Sequence, residues 1–403
     1  MRPENTIVIA GAGIVGLVAA VLLGQSKVTR NSQIHIIESD DPIKYESNHD
    51  ISLRVSAISI GSINILEKVN AWDKIISERA YRYSDMKVWD AGDEVDGMST
   101  INFESDDFGI SELGFIVENS LIQSQLTQLI DALDISSHYG KQVTSLKENK
   151  EKNKIVIGFA DHQEIEADLL IGADGANSIT RKLQGIAIKE HHYKQTALVT
   201  HVRCKAHHHD TAWQRFLPEG PIGLLPLGEN RASIVWSITP EQAKLNSLLK
   251  KDELGALLTE ATDFVLGDLE VISKTGLFPL KYHHAKQYVT KNFALIGDAA
   301  HCIHPMAGQG INLGIADAFT LVKNIEESML NGEYIGDISS LRPYERQRKG
   351  VNWLMLDFVD LLNKLFSSRL ELVRVFRVFG MRLFNKSRLI KNHAVKIALG
   401  VNI

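Results

Sequence analysis

The chain of 403 residues is 44% hydrophobic and 23% charged, with 29 glycines and only 9 prolines. That composition suits two or three folded domains and excludes disordered, collagen-like and repeat-array classes, while the two cysteines, Cys204 and Cys302, point to a reducing, cytoplasmic setting. The net charge of −5 divides unevenly: residues 361–403 carry nine Lys/Arg against Glu371, whereas the other 360 residues carry 35 basic and 48 acidic groups. An acidic body argues against a nucleic-acid partner, and a basic, apolar tail suits an anionic partner or a membrane surface. No apolar run reaches the roughly 18 residues of a membrane span. The glycines at 11, 13 and 16, behind the single basic flank Arg2, weigh against a signal peptide.

Along the chain, Thr6–Ala10 (TIVIA) is an apolar, β-rich run of the kind buried in a parallel sheet. Gly11-Ala12-Gly13-Ile14-Val15-Gly16 follows as a turn, residues 17–23 continue as a helix, and residues 34–37 (IHII) form a second strand ending at Glu38. A helix is expected over 62–69, short strands at MKVWD and STINF, and another helix over 121–133. Lys154–Phe159 and residues 165–170 flank a turn as a hairpin would, the second leading into Gly172-Ala173-Asp174-Gly175. Residues 186–280 are mostly strand-like, 293–296 (FALI) form one more buried strand, and 313–324 a helix. The last fifty residues read as helical. The expected fold is α/β: segments 1–80, 110–185 and 285–345 form a Rossmann-like dinucleotide-binding domain. Residues 81–109 and 186–284 form an inserted, mainly β substrate domain, and 346–403 a helical C-terminal region.

Three constellations carry chemistry. The G-x-G-x-x-G turn sits between a strand and a helix, where its backbone approaches a pyrophosphate attracted by the helix N-terminus. Glu38, at the next strand end, is placed to accept hydrogen bonds from ribose hydroxyls. The turn alone does not separate FAD from NAD. A second motif, Gly297-Asp298-Ala299-Ala300-His301-Cys302-Ile303-His304-Pro305-Met306-Ala307-Gly308-Gln309-Gly310-Ile311-Asn312, places an acid after a buried strand. Its residues 307–310 then offer backbone N–H groups at a helix start. His301 and His304 lack a third ligand on a glycine-rich turn, so no metal is expected. The third, residues 172–178 with Arg181, is by itself either an Asp-Gly turn with an exposed arginine or part of the same cradle. His207-His208-His209 reads as a solvated loop, and His283-His284 as a polar connection.

Together these motifs resemble the group A FAD-dependent aromatic monooxygenases of the para-hydroxybenzoate hydroxylase fold, and within them the ubiquinone-biosynthesis hydroxylases. RVSAI at 54–58, VEN at 117–119 and AHCIHPMAGQGINLG at 300–314 point to the quinone branch, and the likeness covers essentially the whole chain. It implies that Gly11, Gly13, Gly16 and Glu38 hold the ADP half of FAD. Arg54 and Asn119 would meet the phosphate–ribitol region, Asn119 standing where many relatives have Arg or Gln. Asp298 would bond the ribitol or phosphate, with Asp174 also at the cofactor and Arg181 structural or near it. Pro305, Gly308, Gln309, Gly310, Ile311 and Asn312 would line the flavin ring.

The implied reaction uses NAD(P)H and O2 to hydroxylate a polyprenylated phenol. A W-x-W-x-I-P halogenase signature is missing around Trp236, which leaves another flavin-dependent hydroxylase of a soluble phenol, or a non-catalytic flavin-fold scaffold, as the alternatives. The prenylated substrate implies work peripheral to an inner membrane. The tail's helical stripe of Phe358, Leu361, Leu362, Leu365, Leu372, Phe376, Phe379 and Leu383, with Arg374 and Arg377 facing away from it, is expected either to pack on its own domain or a sister subunit, or to meet a membrane or a quinone-biosynthesis complex.

Overall fold

The run Thr6–Ala10 is buried at every residue because it lies inside a six-stranded sheet with parallel neighbours on both sides. The computed structural model describes residues 5–97, 100–191, 194–302, 309–367 and 371–400. Across the sheet the order is Val289–Thr290, Phe293–Leu295, Leu169–Gly172, Thr6–Ala10, Gln33–Ile37 and Ile135–His138. All are parallel except the first, which is antiparallel to its neighbour. Helix Ile14–Gln25 packs against Asn119–Asp131 and Gln309–Leu330. Register places Ala10 beside Gly172 and Ile37, and Gly172 beside Leu295. Three glycine-rich turns and Glu38 therefore leave the sheet at one carboxyl edge, where open α/β sheets bind their ligands.

Residues 165–170, expected as one strand, are two. Glu164–Ala167 pairs with Lys154–Phe159 in a hairpin, while Leu169–Gly172 enters the parallel sheet. The break falls at buried Asp168, whose carboxylate accepts the Thr6 N–H at 2.7 Å and Lys154 Nζ at 2.9 Å. Its own N–H donates to the Thr6 carbonyl. This side chain lets the chain change sheets without orphaning backbone groups.

A second, eight-stranded sheet draws on two separate stretches of chain. Asp85–Asp90 pairs in parallel with Thr211–Leu217, which continues through Gly220–Leu227 and Arg231–Ile238 to Thr196–Cys204. Side chains alternate across it. Ile222, Leu224, Ile234 and Ile238 pack beneath helix Lys251–Ala261, while Gly223, Leu225, Val235 and Ser237 face a cavity.

The tail forms helices Ile338–Ser367, Glu371–Lys386 and Arg388–Leu399. Its stripe divides. Leu362 and Leu365 pack with Phe366, which stacks on Phe216 at 3.7 Å between ring centroids, whereas Phe358, Leu361, Phe379 and Leu383 remain exposed. Arg377 corrects the expectation of a cation turned outward: it is buried, ion-paired with Asp90 at 2.6 Å, and donates to the Leu365 and Phe366 carbonyls. A guanidinium in that position neutralises a carboxylate the sheet would otherwise bury alone. The side chains of Leu372, Arg374 and Phe376 lie outside the described residues.

Candidate active site

The four chain segments leaving the carboxyl edge line one side of a cavity of about 850 Å³, and the eight-stranded sheet lines the other. Gly11 has φ +110°, and a Cβ there would lie 2.3 Å from the Ala173 carbonyl oxygen. At Gly16 a Cβ would lie 2.0 Å from the Gly11 oxygen, so this glycine closes the turn onto its own helix rather than lining the cavity. Gly13 differs: a Cβ would meet no protein atom within 4 Å, and the residue borders the cavity. Opposite, Glu38 accepts the Ala12 N–H on Oε2 and the Ser39 N–H on Oε1, both at 2.8 Å, which fixes its carboxylate at the cavity edge.

Asp298 follows strand Phe293–Leu295 on a short turn. Its accessible surface borders the cavity, and protein surrounds it otherwise. That desolvation pushes its carboxyl above the usual range, against the opposing pull of His301 and Arg54. Arg54 lines the same cavity, and Asn119 beside it accepts the Ser56 hydroxyl at 2.7 Å. Gly310 and Ile311 border it from the start of helix Gln309–Leu330. Asn312 does not: its amide bridges the Ser59 N–H and the Ala57 carbonyl, bolting that helix to strand Val55–Ser59. Pro305, Gly308 and His304 lie outside the described residues, as does the Gln309 side chain.

Asp174 borders the cavity, but its two oxygens take four donors: Ser178 Oγ, the Ile179 and Thr180 N–H groups, and Thr180 Oγ1. The carboxylate holds the turn into helix Ile179–Leu183. Arg181 is buried, not exposed. It donates to the Ala299 carbonyl at 2.7 Å and the Ala176 carbonyl at 3.1 Å, tying the Asp174 turn to the Asp298 turn.

Of two histidine expectations, the polar connection at His283-His284 fails, and the solvated loop over 207–209 holds for exposed His207 and His209 but not for His208. His283 and His284 lie in a buried strand, Tyr282–Ala285, between Ile188–His191 and His301–Cys302. Burial lowers both imidazoles to about 4, with Arg181 adding for His283 and His301 for His284, so both are neutral at pH 7. His208 is likewise buried, with Nε2 at 2.8 Å from the Leu227 carbonyl.

Residues 4–359 match the FAD binding domain family. The 3-demethoxyubiquinol 3-hydroxylase of Escherichia coli is 31% identical, covering 98% of each chain. The human mitochondrial ubiquinone biosynthesis monooxygenase COQ6 is 32% identical over 97% of this chain and 92% of its own. The chain belongs to the FAD-dependent ubiquinone-biosynthesis monooxygenase family. Solved structures agree on the fold. The p-nitrophenol 4-monooxygenase of Pseudomonas putida superposes with a TM-score of 0.77 at 16% identity, covering 99% of this chain and 100% of that one. The Klebsiella pneumoniae protein HpxO, complexed with FAD and uric acid, superposes at 0.75 and 18% identity over 99% and 98%.

The residues of this monooxygenase fit an FAD. Space beyond Gly13 matches a cofactor passing over the turn, and the carboxylates of Glu38 and Asp298 along the groove match sugar hydroxyls. Sequence reasoning missed Gln123 and Lys141, which border the groove near Glu38. Gln123 donates to the Ala12 carbonyl and stands four residues beyond Asn119 on one helix face, a spacing that offered a signal. Lys141 offered none. The far wall, with Trp213, Gln214, Leu225 and Val235, was also unreadable, because each residue is half of an ordinary strand alternation.

Proposed function

We propose that this monooxygenase hydroxylates the aromatic ring of a polyprenylated phenol in ubiquinone biosynthesis, with NAD(P)H as reductant and O2 as oxidant. The observation that carries the reading is the continuity of one cavity from Gly13 and Glu38, past Asp298 and Gly310, to the apolar face of the eight-stranded sheet. A cofactor and an apolar ring can thus share one enclosure. In this assignment residues 1–80, 110–185 and 285–345 hold FAD, residues 81–109 and 186–284 hold substrate, and 346–403 cover them.

Glu38 would hold ribose hydroxyls, Asp298 the ribitol or phosphate, and Arg54 and Asn119 the region between. The loop of Pro305, Gly308 and Gln309, with Gly310 and Ile311, would line the ring, the long helix from Gln309 directing its positive end there. FAD supplies, when bound and reduced, the electron transfer to ground-state O2 that closed-shell side chains lack. The protein's own part is positional. Leu225, Val235 and Ala212 exclude water from the ring site, and Gln214 and Ser237 offer hydrogen bonds to a phenol hydroxyl.

The test is product mass. With NAD(P)H and isotopically labelled O2, a short-chain prenyl phenol should gain one labelled oxygen on its ring. Reductant consumption that yields peroxide alone would refute the reading. Among the described residues no helix is long and apolar enough to cross a membrane. We propose a peripheral membrane contact from the exposed apolar side chains Leu354, Phe358, Leu361, Phe379 and Leu383. Mutating Phe358 and Leu361 to Ser should reduce liposome flotation; a change in oligomeric mass instead would assign this face to a sister subunit.

A further inference from the structure

A second recess, of about 670 Å³, shares no lining residue with the cofactor cavity. Four cations meet there: Lys189, Lys286, Arg346 and Lys349, with buried His284 at the inner wall and Trp353 at the rim. Its single carboxylate, Glu345, is already held by the Tyr288 N–H at 2.7 Å and lies 3.7 Å from Lys349. Among the described residues the side chains of Lys189, Lys286 and Arg346 have no hydrogen-bond or ion-pair partner, although the surrounding chain is acidic.

The cations stand on ordered elements. Lys189 is paired across an antiparallel ladder with His284, and Lys286 follows two residues later. Arg346, Lys349 and Trp353 recur at helical spacing on Ile338–Ser367, while Arg348 and Asn352 on the other face turn inward to Asp317. Clustering like charges without a counter-ion costs free energy, which an anionic ligand would relieve.

We propose that this recess binds a phosphate group carried on an aromatic or apolar body. The ammonium groups of Lys189 and Lys286 and the guanidinium fork of Arg346 match the several oxygens and double charge of a phosphate, while Lys349 is already engaged by the Lys286 carbonyl and Glu345. Trp353 is 50% exposed and gives a flat apolar face to whatever the phosphate is attached to. A nucleotide and a phospholipid headgroup both present this chemistry. The assignment rests on the recess alone and stands whether or not a prenyl phenol is the substrate.

The FAD-loaded full chain is titrated by calorimetry with pyrophosphate and with 2′,5′-ADP. It is also sedimented with phosphatidylcholine vesicles with and without phosphatidylglycerol. Both measurements are repeated on the double variant Lys286→Glu/Arg346→Glu and on Trp353→Ala. Saturable binding of 2′,5′-ADP that weakens by about tenfold or more in the double variant supports a nucleotide source. Sedimentation only with phosphatidylglycerol, lost in the same variant, supports a headgroup. Trp353→Ala should weaken either by a smaller factor, and flavin content should be unchanged throughout. Absence of saturable binding from both sources, or binding indifferent to the charge reversal, overturns the proposal.

Discussion

Asp317 sits behind the cofactor turn and is fully buried. One oxygen takes His301 Nε2 at 2.5 Å and the Gly297 N–H at 3.1 Å; the other takes Arg348 Nε at 2.7 Å and the Asn352 amide at 3.0 Å. Burial raises its carboxyl pKa, but His301 and Arg348 outweigh this and hold it well below the ordinary 3.8. Asp317→Ala removes the only carboxylate bound to the buried Arg348 guanidinium among the described residues. Breaking such a pair costs about 3–5 kcal/mol, much of it for the charge left behind. Because Asp317 also anchors Gly297, the residue before Asp298, flavin retention should fall with stability. Chemical denaturation of the wild type, Asp317→Ala, Arg348→Ala and the double variant would measure this. The double variant should lose less than the two single losses combined, by about 1–3 kcal/mol. The depressed pKa sets the pH sign: this contribution is present above about pH 3.8 and is lost as pH falls through the folded-state value. An Asp317→Ala protein with an unchanged denaturation midpoint and full flavin content would refute the reasoning.

Gly13 and Gly16 should separate binding from folding. Gly13→Val enters the cavity and should abolish flavin absorbance with the melting temperature of the apoprotein unchanged, whereas Gly16→Ala drives a Cβ onto the Gly11 carbonyl and should destabilise the apoprotein itself. Asp298→Ala removes hydrogen bonds worth roughly 1–3 kcal/mol and should weaken FAD by about tenfold or more, read as flavin stoichiometry after gel filtration. His283 and His284 titrate near 6.5 when unfolded and near 4 when folded, so the unfolded chain binds more protons between these values. Stability should therefore fall as pH drops from about 6.5 to 4, and His284→Gln should flatten that slope in urea titrations at several pH values.

The legible features were those whose cause is local. Thr6–Ala10 is uninterrupted by glycine or charge because it is buried from both faces, and Glu38 falls at a strand end already marked by three isoleucines in the four residues before it. The illegible ones owe their state to a distant partner. Asp168 looks like any polar residue in a strand until Thr6, 162 positions away, supplies its donor. The His283-His284 pair looks polar because its neutralising burial comes from strands elsewhere in the chain. Arg377 shows the same limit in the tail. Helical spacing found the apolar stripe, but Asp90 decides which side faces the body, and no period in residues 361–403 encodes Asp90.

That dependence also connects the tail to the site. Helix Ile338–Ser367 sends Arg348 and Asn352 inward to Asp317, which holds Gly297, and therefore holds the turn that brings Asp298 to the cavity. Its outward residues Arg346, Lys349 and Trp353 line the cationic recess. One helix thus carries the anchor of the cofactor turn on one face and a ligand-ready surface on the other. The two faces are separable: charge reversal at Lys286 and Arg346 leaves Arg348 and Asn352 on Asp317, so recess binding should be lost while flavin is retained, and loss of flavin in that variant would show that the two faces are not independent.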